Sequence, residues 1–124
     1  MADINIIGTL KTPTISFNEK DKHLLIEGRS IPENPIEFYE PLLNQLKDYL
    51  NIPVGKMEID FKLEYFNTSS SIVILDVLRQ LKKISEQNNH IVVNWFYDAD
   101  DFDLLEIGED YSTLMNFPFN LLKN

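Results

Sequence analysis

Cysteine is absent from this chain, and that absence excludes disulfide bonds, thiolate catalysis and cysteine-ligated zinc sites. Histidine is nearly absent, because only His23 and His90 occur, and each lies at the start of a predicted strand. Neither belongs to a Gly-x-Ser-x-Gly or His-Glu-x-x-His motif, and the sequence also lacks a Walker loop and a glycine-rich dinucleotide turn. We therefore expect no catalytic residue, no cofactor and no enzyme activity.

Long apolar runs are also missing, since none approaches the roughly 20 residues that a membrane span needs. The first ten residues lack the basic region and the apolar stretch of a signal peptide. These two observations predict a cytoplasmic protein that does not enter a membrane.

Basic residues are few, because 11 Lys and Arg stand against 20 Asp and Glu and leave a net charge of −9. No Lys or Arg occurs between Lys83 and Lys123, whereas residues 98–110 contain seven acidic side chains. Such a surface repels nucleic-acid phosphates and anionic lipids, so neither nucleic acid nor a membrane is an expected partner. Basic protein surfaces and cations are better candidates.

The chain does have enough apolar material for one hydrophobic core. Its 124 residues are 44% hydrophobic and include eight Phe, five Tyr and one Trp. No internal repeat, low-complexity segment or linker divides the sequence. We therefore expect a single domain that spans residues 1–124.

Several segments have the residue patterns of β-strands. A charged turn at residues 18–22 predicts a hairpin between strands at residues 12–17 and 23–27. Residues 91–97 are nearly continuously apolar, so Trp95-Phe96-Tyr97 is interpreted as part of a strand buried on both faces, not as an exposed aromatic patch. Residues 117–119 suit a short edge segment. Residues 55–66 alternate strictly, which predicts a strand whose buried face carries Met57, Ile59, Phe61, Leu63 and Tyr65.

A first helix is predicted to follow the loop at residues 30–35. Asn34 suits the N-cap, Pro35 suits the first helical position, and Glu37 stands where a capping-box acid would. Pro41 conflicts with a continuous helix, because it removes a hydrogen bond and clashes with the preceding turn. The segment therefore either kinks at Pro41 or begins its main helix near Glu40.

A second helix is predicted over residues 69–87, and a short acidic helix, or a helix followed by a loop, over residues 101–115. In the second helix, one face is expected to be buried through Ile72, Leu75, Leu78 and Leu81, and the opposite face to be solvated. The predicted order is β-β-α-β-α-β-α with a short tail. This order indicates an α/β or α+β layer fold, with a mixed β-sheet covered by helices mainly on one face.

Four hydroxyl residues in succession, Thr68 to Ser71, stand where the alternating strand ends and the second helix begins. Free N–H groups and the helix dipole favour a negative charge there, so a phosphate on one hydroxyl would be tolerated and would change the surface sharply. A second interpretation is that the run only caps the helix, and capping alone is the commoner role. The two interpretations are compatible, because one hydroxyl can cap while a neighbour is modified.

The sequence resembles the SiaC family of bacterial regulatory phosphoproteins over residues 8–119. The order and spacing of several short motifs together carry this resemblance. The central motif is Tyr65-Phe66-Asn67-Thr68-Ser69-Ser70. The other motifs are Gly8-Thr9, Thr12-Pro13, Gly28-Arg29-Ser30, Pro32-Glu33-Asn34, Phe38-Tyr39, Trp95-Phe96-Tyr97-Asp98, Glu106 with Gly108-Glu109-Asp110, and Phe117-Pro118-Phe119.

The resemblance implies a fold similar to the anti-sigma-factor antagonists of the STAS type. It also implies phosphorylation at the threonine of the Asn-Thr-Ser-Ser segment, which is Thr68 here, by a protein kinase, and removal of the phosphate by a PP2C-like phosphatase. In the family's best-known system the unphosphorylated protein binds and activates a diguanylate cyclase, which raises cyclic di-GMP and favours biofilm. The acidic density of residues 98–110 is a departure that we note.

The leading hypothesis is a phosphorylation-switched signalling adaptor with Thr68 as the acceptor. Its switch loop would include Asn67, Ser69 and Ser70, and the phosphate would block binding of a downstream effector. The predicted partner surface is the loop around Thr68 with the exposed face of the second helix, bordered by another loop. Its further residues are Arg79, Lys82 and Lys83 on the helix, and Pro32, Glu33 and Asn34 in the bordering loop.

Two other hypotheses stay open. The first is a small hydrolase or metal-binding protein that uses the acidic cluster Asp98, Asp100, Asp101 and Asp103. A calcium loop counted from Asp98 would need an oxygen ligand and then Gly at the places that Phe102 and Asp103 occupy, so we expect no metal. The second is a constitutive structural or assembly protein whose hydroxyl run serves only as a helix cap.

Overall fold

The computed structural model describes residues 2–124 and contains one sheet with three helices. In chain order the elements are β1 (Ile4–Ile6), β2 (Thr14–Asn18), β3 (His23–Ser30), α1 (Pro35–Asp48), β4 (Lys56–Phe66), α2 (Thr68–Ser85), β5 (His90–Tyr97), α3 (Phe102–Met115) and β6 (Phe119–Lys123).

The strands follow one another across the sheet in chain order. The pairs β1–β2 and β2–β3 are antiparallel, whereas β3–β4, β4–β5 and β5–β6 are parallel. A helix connects the two strands of each parallel pair. Each of these connections leads to the adjacent strand, always toward the β6 edge of the sheet. Right-handed crossovers of this kind place all three helices on one face. The predicted mixed α/β layer fold with helices on one face is therefore confirmed.

The hydrophobic core lies between that face of the sheet and the helices. Alternate strand residues such as Ile15, Leu24 and Ile59 are fully buried there, and α1 and α2 cover them with residues such as Leu42 and Val77. Because the strands bury one face only, their sequences alternate between apolar and polar side chains.

The opposite face of the sheet has no helix over it in residues 2–124. Its centre is polar, because Asn94 donates hydrogen bonds to Glu58 at 2.8 Å and to Asp60 at 2.7 Å. Phe96 lies on this face with the Lys62 ammonium 4.7 Å from its ring centroid. Trp95 is buried as predicted, but the expectation of a strand buried on both faces is wrong for β5, since Phe96 and Tyr97 are only partly buried.

A β-bulge interrupts the alternation of β4 near its end. Gly28 pairs with Leu63 but Arg29 pairs with Tyr65, so Glu64 is the extra residue. The bulge turns Tyr65 out to solvent, where it is 50% exposed and has the Arg29 guanidinium 5.4 Å from its ring centroid. The prediction that Tyr65 continues the buried row is therefore wrong, and Phe66 packs against the core in its place.

Two strand predictions were incomplete. The three-residue strand β1 was not predicted, since Ile4-Asn5-Ile6 is too short to show a clear period. The predicted edge segment at residues 117–119 begins too early, because β6 runs from Phe119 to Lys123 and pairs with β5 in parallel.

The helices also differ from prediction in two details. Helix α1 runs without interruption through Pro41, so a fresh start near Glu40 is wrong. In α2 Val73 is buried although it was not predicted to be, whereas Ile72 is 60% exposed and does not face the core. Across residues 2–124, no helix has both the length and the apolar character needed to cross a membrane.

Candidate functional site

Thr68 is the first residue of α2, directly after the turn that leaves β4. Its side chain is exposed, and among residues 2–124 no group forms a hydrogen bond with its hydroxyl. The backbone N–H groups of Thr68 and Ser69 have no acceptor within the helix, because a helix leaves its first N–H groups unpaired. An anion on the Thr68 oxygen would therefore meet free donors and the positive end of the helix dipole.

Asn67 is the N-cap of α2. Its Oδ1 accepts a hydrogen bond from the backbone N–H of Ser70 at 3.0 Å and another from the Ser69 hydroxyl at 3.2 Å. Because the amide of Asn67 supplies the cap, the Thr68 hydroxyl is not needed to start the helix. The cap is thus supplied by Asn67 alone, and it leaves the neighbouring Thr68 hydroxyl exposed.

The Asn67 cap yields a stability prediction. Asn67→Ala should lower the free energy of unfolding by about 1 kcal/mol, because the Ser70 N–H loses its acceptor. Urea denaturation followed by circular dichroism would measure the change. Ser69→Ala is the matched control, since its exposed hydroxyl only donates to Asn67, and it should change stability by less than about 0.5 kcal/mol. An unchanged denaturation midpoint in Asn67→Ala would contradict the assigned cap.

Beneath the exposed Thr68, a buried chain of hydroxyl groups anchors the first turn of α2. Ser70 lies at zero exposure and its hydroxyl donates to the Ser30 carbonyl at 3.0 Å. The Ser30 hydroxyl lies 2.9 Å from that of Ser70 and 2.7 Å from the hydroxyl of Tyr39. Burial raises the pKa of Tyr39 to about 12, so the phenol stays neutral. Ser70 is thus a structural residue of this turn, and its hydroxyl is not accessible from solvent.

Helix α3 is tied to the same turn through Tyr111. Its hydroxyl donates to the Ser71 carbonyl at 2.8 Å, and its ring packs edge-on against Trp95 at 5.7 Å between centroids. Burial raises the pKa of Tyr111 to about 12, which keeps this donor protonated. The start of α2 is therefore held from two sides, by β3 and α1 through the hydroxyl chain and by α3 through Tyr111.

A groove of about 350 Å³ opens beside Thr68, between the start of α2 and α3. Its lining combines the apolar Phe66 and Ile107 with Tyr111, and Asp110 lies in the same lining as Thr68. A carboxylate so placed opposes the addition of a second negative charge at Thr68. The acidic segment thus reaches the site through its last residue.

The bordering loop after β3 starts at the same edge of the sheet. Ser30 pairs with Phe66 at the ends of β3 and β4, which brings the loop at residues 31–34 next to the switch loop. Pro32 is buried, whereas Glu33 and Asn34 are exposed. Asn34 also caps α1, since its Oδ1 accepts from the Glu37 N–H at 3.2 Å.

The three basic residues of α2 lie farther from Thr68. Arg79 follows it by eleven positions, which is about 16 Å along a helix. Arg79 contacts Asp76 at 3.4 Å, and the Lys82 ammonium donates to the carbonyl of Met115. Lys83 is exposed. The structure does not bring these cations together with Thr68 into one compact surface.

The acidic segment forms the start and outer face of α3. Asp101 is the N-cap, with its Oδ1 accepting from the Leu104 N–H at 3.0 Å, and Asp98 accepts from the Asn124 side chain at 2.9 Å. Within residues 2–124, no three His, Asp or Glu side chains are grouped so that they could hold a metal ion.

Three residues of the site were not predicted from the sequence, namely Ile107, Asp110 and Tyr111. They lie about forty positions after Thr68, and no local period links the two segments. The density of acidic residues up to Asp110 was the available signal in the sequence. It drew attention to α3 but did not show that α3 lies beside Thr68.

The model of the SiaC family of regulatory phosphoproteins matches residues 6–124 of this chain. An uncharacterized protein of Pseudomonas aeruginosa is 29% identical over 119 residues, which are 96% of this chain and 94% of that protein. Apo-SiaC from Pseudomonas aeruginosa has a TM-score of 0.90 at 29% identity, with 98% of this chain and 99% of that chain covered. The chain is also similar to a structure of the diguanylate cyclase SiaD in complex with its activator SiaC, from the same species, with a TM-score of 0.91, 28% identity, and coverage of 98% and 100%.

Proposed function

The chain belongs to the SiaC family of regulatory phosphoproteins, and on that premise we propose that it is a signalling adaptor switched by phosphorylation of Thr68. The observation that carries the proposal is the exposed, uncommitted hydroxyl of Thr68 on a helix start that Asn67 already caps. A kinase can reach this oxygen without unfolding the loop, and the phosphate would meet free N–H groups there.

A protein kinase adds the phosphate in this proposal, and a PP2C-like phosphatase removes it. The phosphoryl group passes from ATP to the Thr68 oxygen, which loses its proton, and hydrolysis by the phosphatase restores the hydroxyl. The modification adds about 1.5 to 2 negative charges to a chain that is already at −9. The effector is a protein that binds the unmodified form, and the phosphate weakens that binding by charge repulsion and desolvation cost.

The effector that we propose is a diguanylate cyclase, because the similar SiaC forms a complex with such an enzyme as its activator. Binding of the unmodified chain would then raise cyclic di-GMP. The contact surface includes the switch loop, Glu33 and Asn34. Arg79 and Lys83 take part only if the partner extends along α2, given the distance of roughly 16 Å.

The direct test of this function uses the purified chain and the diguanylate cyclases of its own host. The unmodified chain should co-elute with one of them in size-exclusion chromatography and increase its rate of cyclic di-GMP formation. Absence of a complex with every cyclase of the host, in both phosphorylation states, would overturn the assignment of a cyclase as effector.

The carboxylate of Asp110 yields a kinetic prediction. Asp110→Asn should raise the rate at which the kinase phosphorylates Thr68 by about two- to fivefold at low salt, because one repelling charge is lost. Glu109→Gln is the matched control, since it removes the same charge from the next residue, which does not line the groove. The difference between the two variants should shrink as salt is added. Equal rates at low salt would contradict the role given to Asp110.

A further inference from the structure

Strand β6 is an open edge of the sheet, because it pairs with β5 on one side and with no other strand of residues 2–124 on the other. The Asn124 N–H donates to the Tyr97 carbonyl of β5 at 2.8 Å. Alternate residues of a strand direct their backbone groups to opposite sides, so the N–H and C=O groups of Leu121 and Lys123 point away from β5. Four backbone hydrogen-bonding groups of β6 therefore face outward at this edge.

The two edges of the sheet differ in their protection against pairing. At the opposite edge β1 has only three residues, which makes it a short template for another strand. Natural edge strands are also protected by proline, bulges or charged side chains. In contrast, β6 has five residues, Leu121 and Leu122 occupy its centre, and its one charge is on Lys123 at its end. The composition of β6 therefore favours pairing with another strand.

Apolar side chains lie beside this edge on both faces of the sheet. On the helix side Phe119 stacks on Trp95 with 6.3 Å between ring centroids, and by alternation Leu121 points to the same side. On the other side Leu122 is 38% exposed and stands next to the partly buried Phe96 in the register of β5 and β6. A strand added to β6 would cover apolar surface on both faces.

The charges near the edge are complementary within one chain. The Ser112 hydroxyl accepts a hydrogen bond from the Phe119 N–H at 3.2 Å, so this side of α3 faces β6. Glu109 lies one helical turn before Ser112 on the same side and is exposed. Lys123 is the only Lys or Arg after Lys83, and by alternation it points to the helix side. A second copy can therefore bring its lysine toward the acidic side of α3.

We propose that β6 pairs with β6 of a second copy in antiparallel orientation, about a two-fold axis at Leu122. In this register Leu121 stands opposite Lys123 of the second copy, and the reverse pair forms as well. All four outward backbone groups of each strand are then satisfied. The two Leu122 side chains meet at the axis, where opposite residues approach most closely, and each Lys123 lies on the side of the other copy's Glu109.

The dimer would leave the switch site uncovered. Strands β4 and β6 are separated by β5, so the end of β4 lies about 10 Å from the paired edge. The two-fold axis keeps the helices of both copies on the same face and places the two Thr68 residues at opposite ends of the joined sheet. A partner with two binding sites would then gain apparent affinity by contacting both copies. The dimer itself does not depend on phosphorylation.

Cross-linking tests the register, since the chain has no cysteine of its own. Leu122→Cys should form an intermolecular disulfide under mild oxidation, because opposite residues at such a position have Cα atoms about 4.5 Å apart, within the range of a disulfide. Leu114→Cys is the matched control, because Leu114 is 62% exposed on another side of α3 than Ser112. We expect Leu122→Cys to cross-link at least about tenfold faster than the control.

Sedimentation equilibrium of the full chain tests the association. The interface is small, so the wild type should form a reversible dimer with a dissociation constant on the order of 10–500 μM. Leu121→Pro and Leu121→Ala both lose the leucine side chain, but only proline removes the outward N–H, which β5 does not use. Leu121→Pro should therefore bind at least about tenfold more weakly than Leu121→Ala.

A charge-reversal pair tests the contact with α3. Lys123→Glu should weaken the dimer more than Lys83→Glu, which makes the same change in net charge at an exposed position of α2. Circular dichroism establishes that each variant keeps its fold. If Leu121→Pro does not fold, the cysteine pair and the charge-reversal pair still decide the proposal.

Contrary results separate the dimer from the adaptor function. A wild type that stays monomeric up to about 1 mM, or equal cross-linking of the two cysteine variants, would overturn the dimer. Open-ended oligomers would indicate that β6 pairs with a different edge of the next copy and would overturn it too. A monomeric chain that still binds a host cyclase would leave the adaptor function standing. Failure of the chain to bind any cyclase would not affect the dimer.

Discussion

Replacing Gly108 with alanine should destabilise the fold by about 2–3 kcal/mol. A Cβ atom on Gly108 would lie 2.5 Å from Cδ1 and 2.7 Å from Nε1 of Trp95, which is closer than nonbonded atoms approach. The indole cannot easily retreat, because it is 1% exposed and its Nε1 donates to the Leu104 carbonyl at 3.0 Å. Its ring also contacts Phe61, Tyr111 and Phe119.

The sign of this effect makes the experiment informative. At an open helix position glycine to alanine would stabilise by about 1 kcal/mol, so helix propensity and packing predict opposite results. Thr113→Ala, at an exposed position of α3, is the control and should change stability little. Urea denaturation measures both, and a higher midpoint for Gly108→Ala would contradict the packing described between α3 and Trp95.

Trp95→Phe supplies a second check on the same contact. The smaller ring should cost stability alone but should relieve the clash, so the alanine at residue 108 should cost less in the Trp95→Phe background than in the wild type. Additive effects would show that the two side chains do not interact.

Phosphorylation of Thr68 should weaken the complex with the effector about tenfold to 100-fold, or about 1.4 to 2.8 kcal/mol. The phosphate adds bulk and charge beside the groove between α2 and α3, where Asp110 already repels anions. Isothermal titration calorimetry of the unmodified and the fully phosphorylated chain against the same partner would measure the change.

Thr68→Ala and Ser69→Ala are the paired variants for this prediction. After kinase treatment Thr68→Ala should bind like the unmodified wild type, whereas Ser69→Ala should still be phosphorylated and weakened. Equal affinities of the modified and unmodified wild type would refute the switch, whatever the kinase does. The difference in affinity between the phosphorylated and the unmodified wild type should also become smaller as the salt concentration rises, because the charges are partly exposed.

Much of the fold could be predicted from local patterns. Up to Leu63 the alternation of β4 is strict, and the N-cap role of Asn34 follows from the side-chain preferences of that position. The bulge at Glu64 could not be predicted, because it depends on the register between β4 and the neighbouring Gly28–Arg29 segment. Because the register depends on how two strands pair, it cannot be read from the alternation of apolar and polar residues along one strand.

The candidate site was predictable only in its local part. The hydroxyl run and Asn67 mark a helix start by their residue types alone, and the family resemblance singles out Thr68. The contact of the site with α3 depends on tertiary packing through Tyr111 and Trp95. Likewise, nothing in the sequence distinguishes the buried Ser70 from the exposed Ser69, since burial is decided by the Ser30 and Tyr39 hydroxyls that lie beneath the turn.

The central claim is that Thr68 carries a removable phosphate in the cell. Its most direct test is intact mass measurement with phosphopeptide mapping of the chain from its native host, before and after phosphatase treatment. We expect one phosphate, located on Thr68 and removed by the phosphatase. A chain that is unmodified under every growth condition, or that carries its phosphate at another residue, would contradict it and leave Thr68 as an ordinary first residue of α2.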